Sequence, residues 1–166
     1  GHPSGLSTPR SWLPDQERLL IRAIPERGDP PVAPPIPAGP EILEGEGASA
    51  RSTYEARNLL VTAHDDALFD YYTPHELVIL DPSTKELNVI GPAAQYYTAE
   101  FSPDGEYLLI ERLVGPWSHE VAWWRFAREI EVWDTEGKMI ASIASLPLAN
   151  QVPIHGVPLG PRSVSW

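Results

Sequence analysis

Apolar and polar residues alternate in short runs, and tight turns separate the runs. The pattern is fullest between Ala99 and Ile143. Ala99 and Phe101 flank Glu100, Ser102-Pro103-Asp104-Gly105 interrupts, and Tyr107-Leu108-Leu109-Ile110 follows. Further on, Ile130 and Val132 alternate with Glu129 and Glu131 before Asp134-Thr135-Glu136-Gly137, after which Met139 opens another apolar run. Pro pre-sets φ, Asp bonds the backbone beyond it and Gly takes a positive φ, so both interruptions are turns with a mechanism. Alternation at period two marks half-buried strands. The stretch predicts four short antiparallel strands, joined turn, long loop, turn.

The same pattern occurs earlier in the chain. Trp12-Leu13-Pro14-Asp15-Gln16-Glu17-Arg18-Leu19-Leu20-Ile21 matches the stretch from Phe101 to Ile110, aromatic for aromatic and turn for turn. Leu77-Val78-Ile79-Leu80-Asp81 matches Ile130-Glu131-Val132-Trp133-Asp134, with a lysine four residues after the aspartate in both. Arg162-Ser163-Val164-Ser165-Trp166 reads as the opening of a third copy. Internal repetition outranks local propensity as evidence for architecture. A repeat of four antiparallel strands is a β-propeller blade. The predicted fold is therefore all-β: about two blades plus the first strand of a third, with one inserted helix.

The organisation follows. Residues 1–10 are expected to be a disordered tail, Gly1-His2 resembling a tag remnant. Residues 11–90 form the first blade, with a Pro-rich and helical insertion over 25–74. Pro25 to Pro40 is too dense in proline for helix or central strand, and fits either a linker across the rim or a docking segment. From Thr53 to Tyr72 the period turns helical, with Tyr54, Leu59, Ala63 and Ala67 on one face, and Thr73-Pro74 ends it. Residues 91–146 form the second blade, Gly91-Pro92 starting the crossing into it, with a Trp-rich loop over 112–128. Residues 147–166 form the connection and the first strand of the third blade. In such a blade the tight turns lie on one face of the ring, whereas 25–76, 91–98, 112–128 and 144–161 all fall on the other. Elaborated loops over a rigid scaffold are where function usually sits.

Size and charge narrow the partners. Closing a propeller takes roughly 4–8 blades, so a 166-residue chain is either part of a larger protein or completes a ring by self-association through blade edges. A formal charge of −11 disfavours nucleic acid and anionic membranes, both of which select for cations. The absence of cysteine removes disulfides and thiolate metal sites and leaves the compartment open.

Catalytic chemistry is hard to place in this chain. No serine has the Gly-x-Ser-x-Gly neighbours of a nucleophile elbow. His64-Asp65-Asp66 with Asp70 is the nearest thing to a metal set, but consecutive helical residues point apart, and an acidic helix face accounts for it. No metal or cofactor is expected, and no catalytic residue is assigned. The candidate contacts, with substrate or with another domain, are Arg112, Trp117, His119, Trp123, Trp124, Arg125 and Arg128. Trp and Arg dominate interaction hot spots, although the same tryptophans could close a hydrophobic cluster at the rim. The arginines could draw in a carboxylate or form structural salt bridges.

Several segments resemble a known family. Ile24-Pro25-Glu26-Arg27-Gly28-Asp29-Pro30-Pro31 with Pro37-Ala38-Gly39-Pro40, Ala67-Leu68-Phe69-Asp70-Tyr71-Tyr72, Pro116-Trp117-Ser118, Arg125-Phe126, Glu131-Val132-Trp133, Leu146-Pro147-Leu148-Ala149 and Gly160-Pro161-Arg162-Ser163 look like the propeller of glutamyl-endopeptidase-type enzymes. These enzymes belong to the prolyl oligopeptidase family of serine peptidases. The matches run in family order from about Trp12 to Trp166. The resemblance implies a parent with an N-terminal propeller that caps the active site of a C-terminal α/β-hydrolase domain and gates access of peptides. The implied partners are that domain, the remaining blades and the peptide substrate. Gly115 and Asn150-Gln151 depart from the family pattern, which has Arg and an acidic pair there. The rival expectation is a free-standing propeller-type interaction module that closes a ring from several copies.

Overall fold

The computed structural model describes residues 10–35, 59–153, 156–158, 160–161 and 163–166. Among these, eight strands form two four-stranded antiparallel sheets, each with its strands in chain order. The first holds β1 (Arg10–Trp12), β2 (Leu19–Ala23), β3 (His75–Leu80) and β4 (Leu87–Ala94). The second holds β5 (Tyr96–Phe101), β6 (Tyr107–Leu113), β7 (Arg128–Asp134) and β8 (Met139–Leu146). One helix, α1 (Ala63–Tyr72), lies in the β2–β3 connection. This is the all-β, propeller-like arrangement the alternation predicts.

The repeat is structural as well as sequential. In the β1–β2 turn, Leu13 N–H donates to Arg18 O at 2.8 Å and Gln16 N–H to Leu13 O at 2.9 Å. In the β5–β6 turn, Ser102 N–H donates to Tyr107 O and Gly105 N–H to Ser102 O, both at 2.8 Å. Asp15 and Asp104 each accept from the N–H two residues on. Gln16 takes the positive φ that Gly105 takes in the second copy.

The core lies between the sheets. Leu20, Leu77, Ile79 and Ile90 of the first sheet meet Tyr96, Leu108, Ile110 and Trp133 of the second. Because side chains alternate along a strand, Arg22 shares the face of Leu20. Its guanidinium crosses the junction to donate to Tyr96 O at 2.9 Å and Tyr97 O at 3.3 Å. A cation placed this way satisfies carbonyls where the β5–β6 register slips between Tyr96 and Thr98.

Three expectations need correction. The helix starts at Ala63 rather than in the fifties; Leu59 and Leu60 precede it, and Tyr54 lies outside the described residues. A capping box sets the start. Thr62 Oγ1 accepts from Asp65 N–H at 3.2 Å, and Asp65 Oδ2 accepts from Thr62 N–H at 2.8 Å. Next, Gly91-Pro92 does not end the first sheet. β4 runs on to Ala94, leaving Gln95 alone between the sheets. β4 is an edge strand, where a proline costs no ladder bond, and a bulge opposite His75 and Leu77 absorbs the extra residues. Finally, 163–166 forms no strand. Those residues have no ladder partner, but Trp166 Nε1 donates to Glu100 O of β5 at 3.2 Å. Arg162 and the 1–9 tail lie outside the described residues.

Candidate functional site

The two long insertions meet. The 112–128 loop leaves β6, makes a short 3-10 turn at Trp123–Arg125 and enters β7. Leu113, Val121 and Phe126 form its buried core, against which Phe69 of α1, Leu60, Trp117, Trp123, Tyr97 and Leu148 pack. Trp117 stacks on Phe126 with ring centroids 5.4 Å apart and makes a T-shaped contact with Phe69 at 4.9 Å. Its Nε1–H donates to Asp70 Oδ1 at 2.8 Å, and Gln95 Nε2 donates to the same oxygen at 3.2 Å. His119 Nε2 lies 2.9 Å from Asp66 Oδ1. The inserted helix therefore rests on the Trp-rich loop, with Asp66 and Asp70 facing that loop.

The arginines are committed to different partners. Arg112 points toward the sheet junction, where Nη2 donates to Glu131 Oε1 at 2.8 Å and Nε to Oε2 at 3.3 Å. Trp133 Nε1–H donates to the same carboxylate at 2.8 Å. The Arg112 hydrogen bonds hold the buried Glu131 carboxyl below its usual range, with the Trp133 N–H acting in the same direction. Arg125 donates to Val152 O at 2.7 Å and so ties the loop to the segment after β8. Arg128 donates to Glu111 Oε1 at 2.7 Å and to Trp124 O at 2.5 Å, and its guanidinium sits 4.4 Å above the Tyr97 ring. Fork geometry, stacking and a permanent charge make arginine suited to this triple role.

The seven candidate residues therefore separate. Trp124, Arg125 and Arg128 line a cleft of about 510 Å³ over the face of the second sheet turned away from the first. Tyr97, Glu100 and Glu111 line it with them, and Pro158, Pro161, Ser163 and Val164 form its far wall. Arg112 and Trp117 border a shallower recess beside Asp66, Asp70 and Gln95, with His119 held at Asp66. Trp123 packs inward near Tyr97 at 5.8 Å. Sequence reasoning missed Glu111. The usable signal was its position, since it is the repeat equivalent of Arg22, which spans the junction between the sheets.

Among the described residues nothing in either recess forms a nucleophile–base pair. Among the described residues no group of three or more histidines and carboxylates converges as a metal site. Asp65 caps its helix, Asp66 faces His119 and Asp70 accepts from Trp117 and Gln95. The arrangement can hold surfaces together and recognise a partner, with aromatic faces and paired charges.

Comparison with known proteins adds a context. No protein-family model matches the chain, and no solved structure does. Two curated proteins match nearly all of it. A "Probable glutamyl endopeptidase, chloroplastic" from Arabidopsis thaliana is 38% identical over 160 residues, covering 93% of this chain and 16% of the relative. A protein of the same description from Oryza sativa subsp. japonica is 37% identical over 160 residues, covering 93% and 17%. The chain thus spans about a sixth of the length of these curated relatives, and is homologous to one segment of each.

Proposed function

We propose that the chain is part of the propeller of a serine peptidase of the glutamyl-endopeptidase type, within the prolyl oligopeptidase family. On this reading the chain is non-catalytic. Its face built from α1 and the 112–128 loop meets a hydrolase domain elsewhere in the longer polypeptide, and limits which peptides reach that active site. The observation that carries the reading is the match, over 93% of this chain, to one segment of much longer proteins described as glutamyl endopeptidases. It is consistent with a chain that has paired charges and aromatic packing but no Gly-x-Ser-x-Gly serine. Within that reading the sheet from Arg10 to Ala94 and the sheet from Tyr96 to Leu146 are two blades, and of the candidate contacts Trp117 and His119, beside α1, belong to the gating face.

The test is hydrolysis of a peptide with a single glutamate by the polypeptide of the full reading frame, beside residues 1–166 alone. The full polypeptide should cleave after glutamate, lose activity when its Gly-x-Ser-x-Gly serine becomes alanine, and spare folded proteins. Residues 1–166 alone should be inert. A full reading frame with no such serine, or with no hydrolysis, overturns the proposal.

A further inference from the structure

Proline content dictates the conformation of one exposed stretch that the peptidase reading leaves unused. Residues 30–35 read Pro-Pro-Val-Ala-Pro-Pro. Proline holds φ at about −65° and drives the residue before it to extended backbone. Pro30, Pro31, Pro34 and Pro35 are constrained in the first way, and Pro30, Ala33 and Pro34 in the second. Val32 alone escapes both. A run so constrained is a polyproline II helix, with about three residues per turn and no internal hydrogen bonds. In agreement, the stretch is neither α-helix nor strand.

The run is anchored at one end and open along its length. Just before it, the Arg27 guanidinium lies 4.6 Å from the Tyr71 ring centroid and 5.4 Å from that of Tyr72, and it donates to Tyr71 O. Tyr71 Oη–H donates to Gly28 O at 2.5 Å. The last turn of α1 therefore holds residues 27–28 in place. Beyond Gly28 the anchoring stops: among the described residues no hydrogen bond, ion pair or ring contact reaches residues 29–35. Pro31 is half-buried, whereas Pro30, Val32, Ala33, Pro34 and Pro35 are exposed, Val32 at 90%. A linker laid across the sheets would bury its apolar side chains against them. This run turns them to solvent.

The helical repeat gives the run a face. It puts Pro31 and Pro34 on one edge and Pro30 and Ala33 on the next. The dipeptides Pro30-Pro31 and Ala33-Pro34 therefore form two ridges on one side, a turn apart. Aromatic-lined grooves receive such ridges, and a preformed helix loses little entropy on docking. Charge adds a direction. Asp29, at the entry to the run, is exposed and has no ion pair among the described residues, whereas Arg27 is committed to the two tyrosines.

We infer that residues 29–35 are a docking site for a separate protein, one whose surface carries an aromatic-lined groove with a cation at the end that receives Asp29. The inference goes beyond the peptidase reading and does not depend on it: hydrolytic activity, or its absence, leaves it standing.

The experiment titrates the polypeptide of the full reading frame into fluorescently labelled SH3, WW and EVH1 domains, including members with lysine or arginine at the groove rim. At least one basic-rimmed domain should bind saturably. Pro31→Ala combined with Pro34→Ala should weaken that binding at least about tenfold. Asp29→Lys should weaken it several-fold, and Ala33→Pro, which preserves the helix, should bind at least as tightly as the parent. Any of four results overturns the inference. One is a panel in which no domain binds, and another is binding that survives the double variant at full strength. A third is slow amide exchange at Val32 and Ala33 in the unbound polypeptide, which would assign the run to another part of the same chain. The fourth is self-association that the double variant abolishes, which would assign it to a second copy.

Discussion

Gly137, in the β7–β8 turn, sits directly against the backbone of Gly91 in β4. A Cβ on Gly137 would fall 2.2 Å from the Gly91 nitrogen, and one on Gly91 would fall 2.4 Å from the Trp133 ring. Both residues hold a positive φ, +83° and +66°. Two glycines thus let a turn of the second sheet nest on the last strand of the first. Gly137→Ala adds left-handed strain to a backbone clash and should cost about 2–4 kcal/mol. Gly105→Ala, whose Cβ would meet only Pro14 side-chain atoms at 3.6 Å and beyond, should cost about 1 kcal/mol, the strain without the clash. Urea unfolding of the two variants measures the difference.

Glu131 is buried at 5% exposure and paired with Arg112, whose side chain is 31% exposed. Glu131→Ala strands the guanidinium and the Trp133 N–H. Because Arg112 reaches water, the cost should be about 2–3 kcal/mol, below that of a fully buried pair. The carboxyl is depressed in the folded state, so its contribution is complete above its unfolded value of about 4.3 and is lost as pH falls through the folded value. Wild type and variant should differ most near pH 7 and converge in strong acid, as read by urea midpoints across pH.

His75 is 9% exposed, with Nδ1 3.2 Å from Thr73 O and no partner on Nε2. The facing groups are Arg22 and Tyr96, the latter a phenol that burial pushes up to about 12 and that therefore stays neutral. Burial chiefly, with the Arg22 charge adding to it, lowers the His75 pKa. The folded state then binds fewer protons than the unfolded one. Stability should be full above about pH 6.5 and fall as pH drops below it. His75→Asn should flatten that slope between pH 6.5 and 5. An unchanged slope would show that His75 does not carry the titration.

Helix α1 has no fully buried residue and depends on its contact with the loop. Trp117→Ala removes the ring between Phe69 and Phe126 and the bond to Asp70. Exchange of α1 amides should speed up by an order of magnitude or more while β7 stays protected, a local opening rather than global loss. Phe126→Ala, at 2% exposure, should instead lower global stability by about 3–5 kcal/mol. Thr62→Ala should cost about 1 kcal/mol, confined to the helix start.

The sequence by itself determined the strands, the turns and the repeat, because each depends on residues within a few positions of one another. Pro103-Asp104-Gly105 and Asp134-Thr135-Glu136-Gly137 set their turns through their own backbone bonds, and period two fixes which side chains share a face. It could not say which face meets which. Arg112 read as a candidate contact in the Trp-rich loop. The β6 register turns it to the junction, where Glu131 binds it. Arg128 and Glu111 became a pair only because neighbouring strands bring together residues 17 apart. Gly91-Pro92 carried a local signal for a break, yet the edge position of β4 and its bulge let the strand continue. The helix began where Thr62 and Asp65 exchange hydrogen bonds, not where the apolar spacing first fits. Local conformation is set by short-range sterics and hydrogen bonds, and is legible in the chain. The partner of each charge and ring is set by how the sheets stack, which the tertiary structure alone decided.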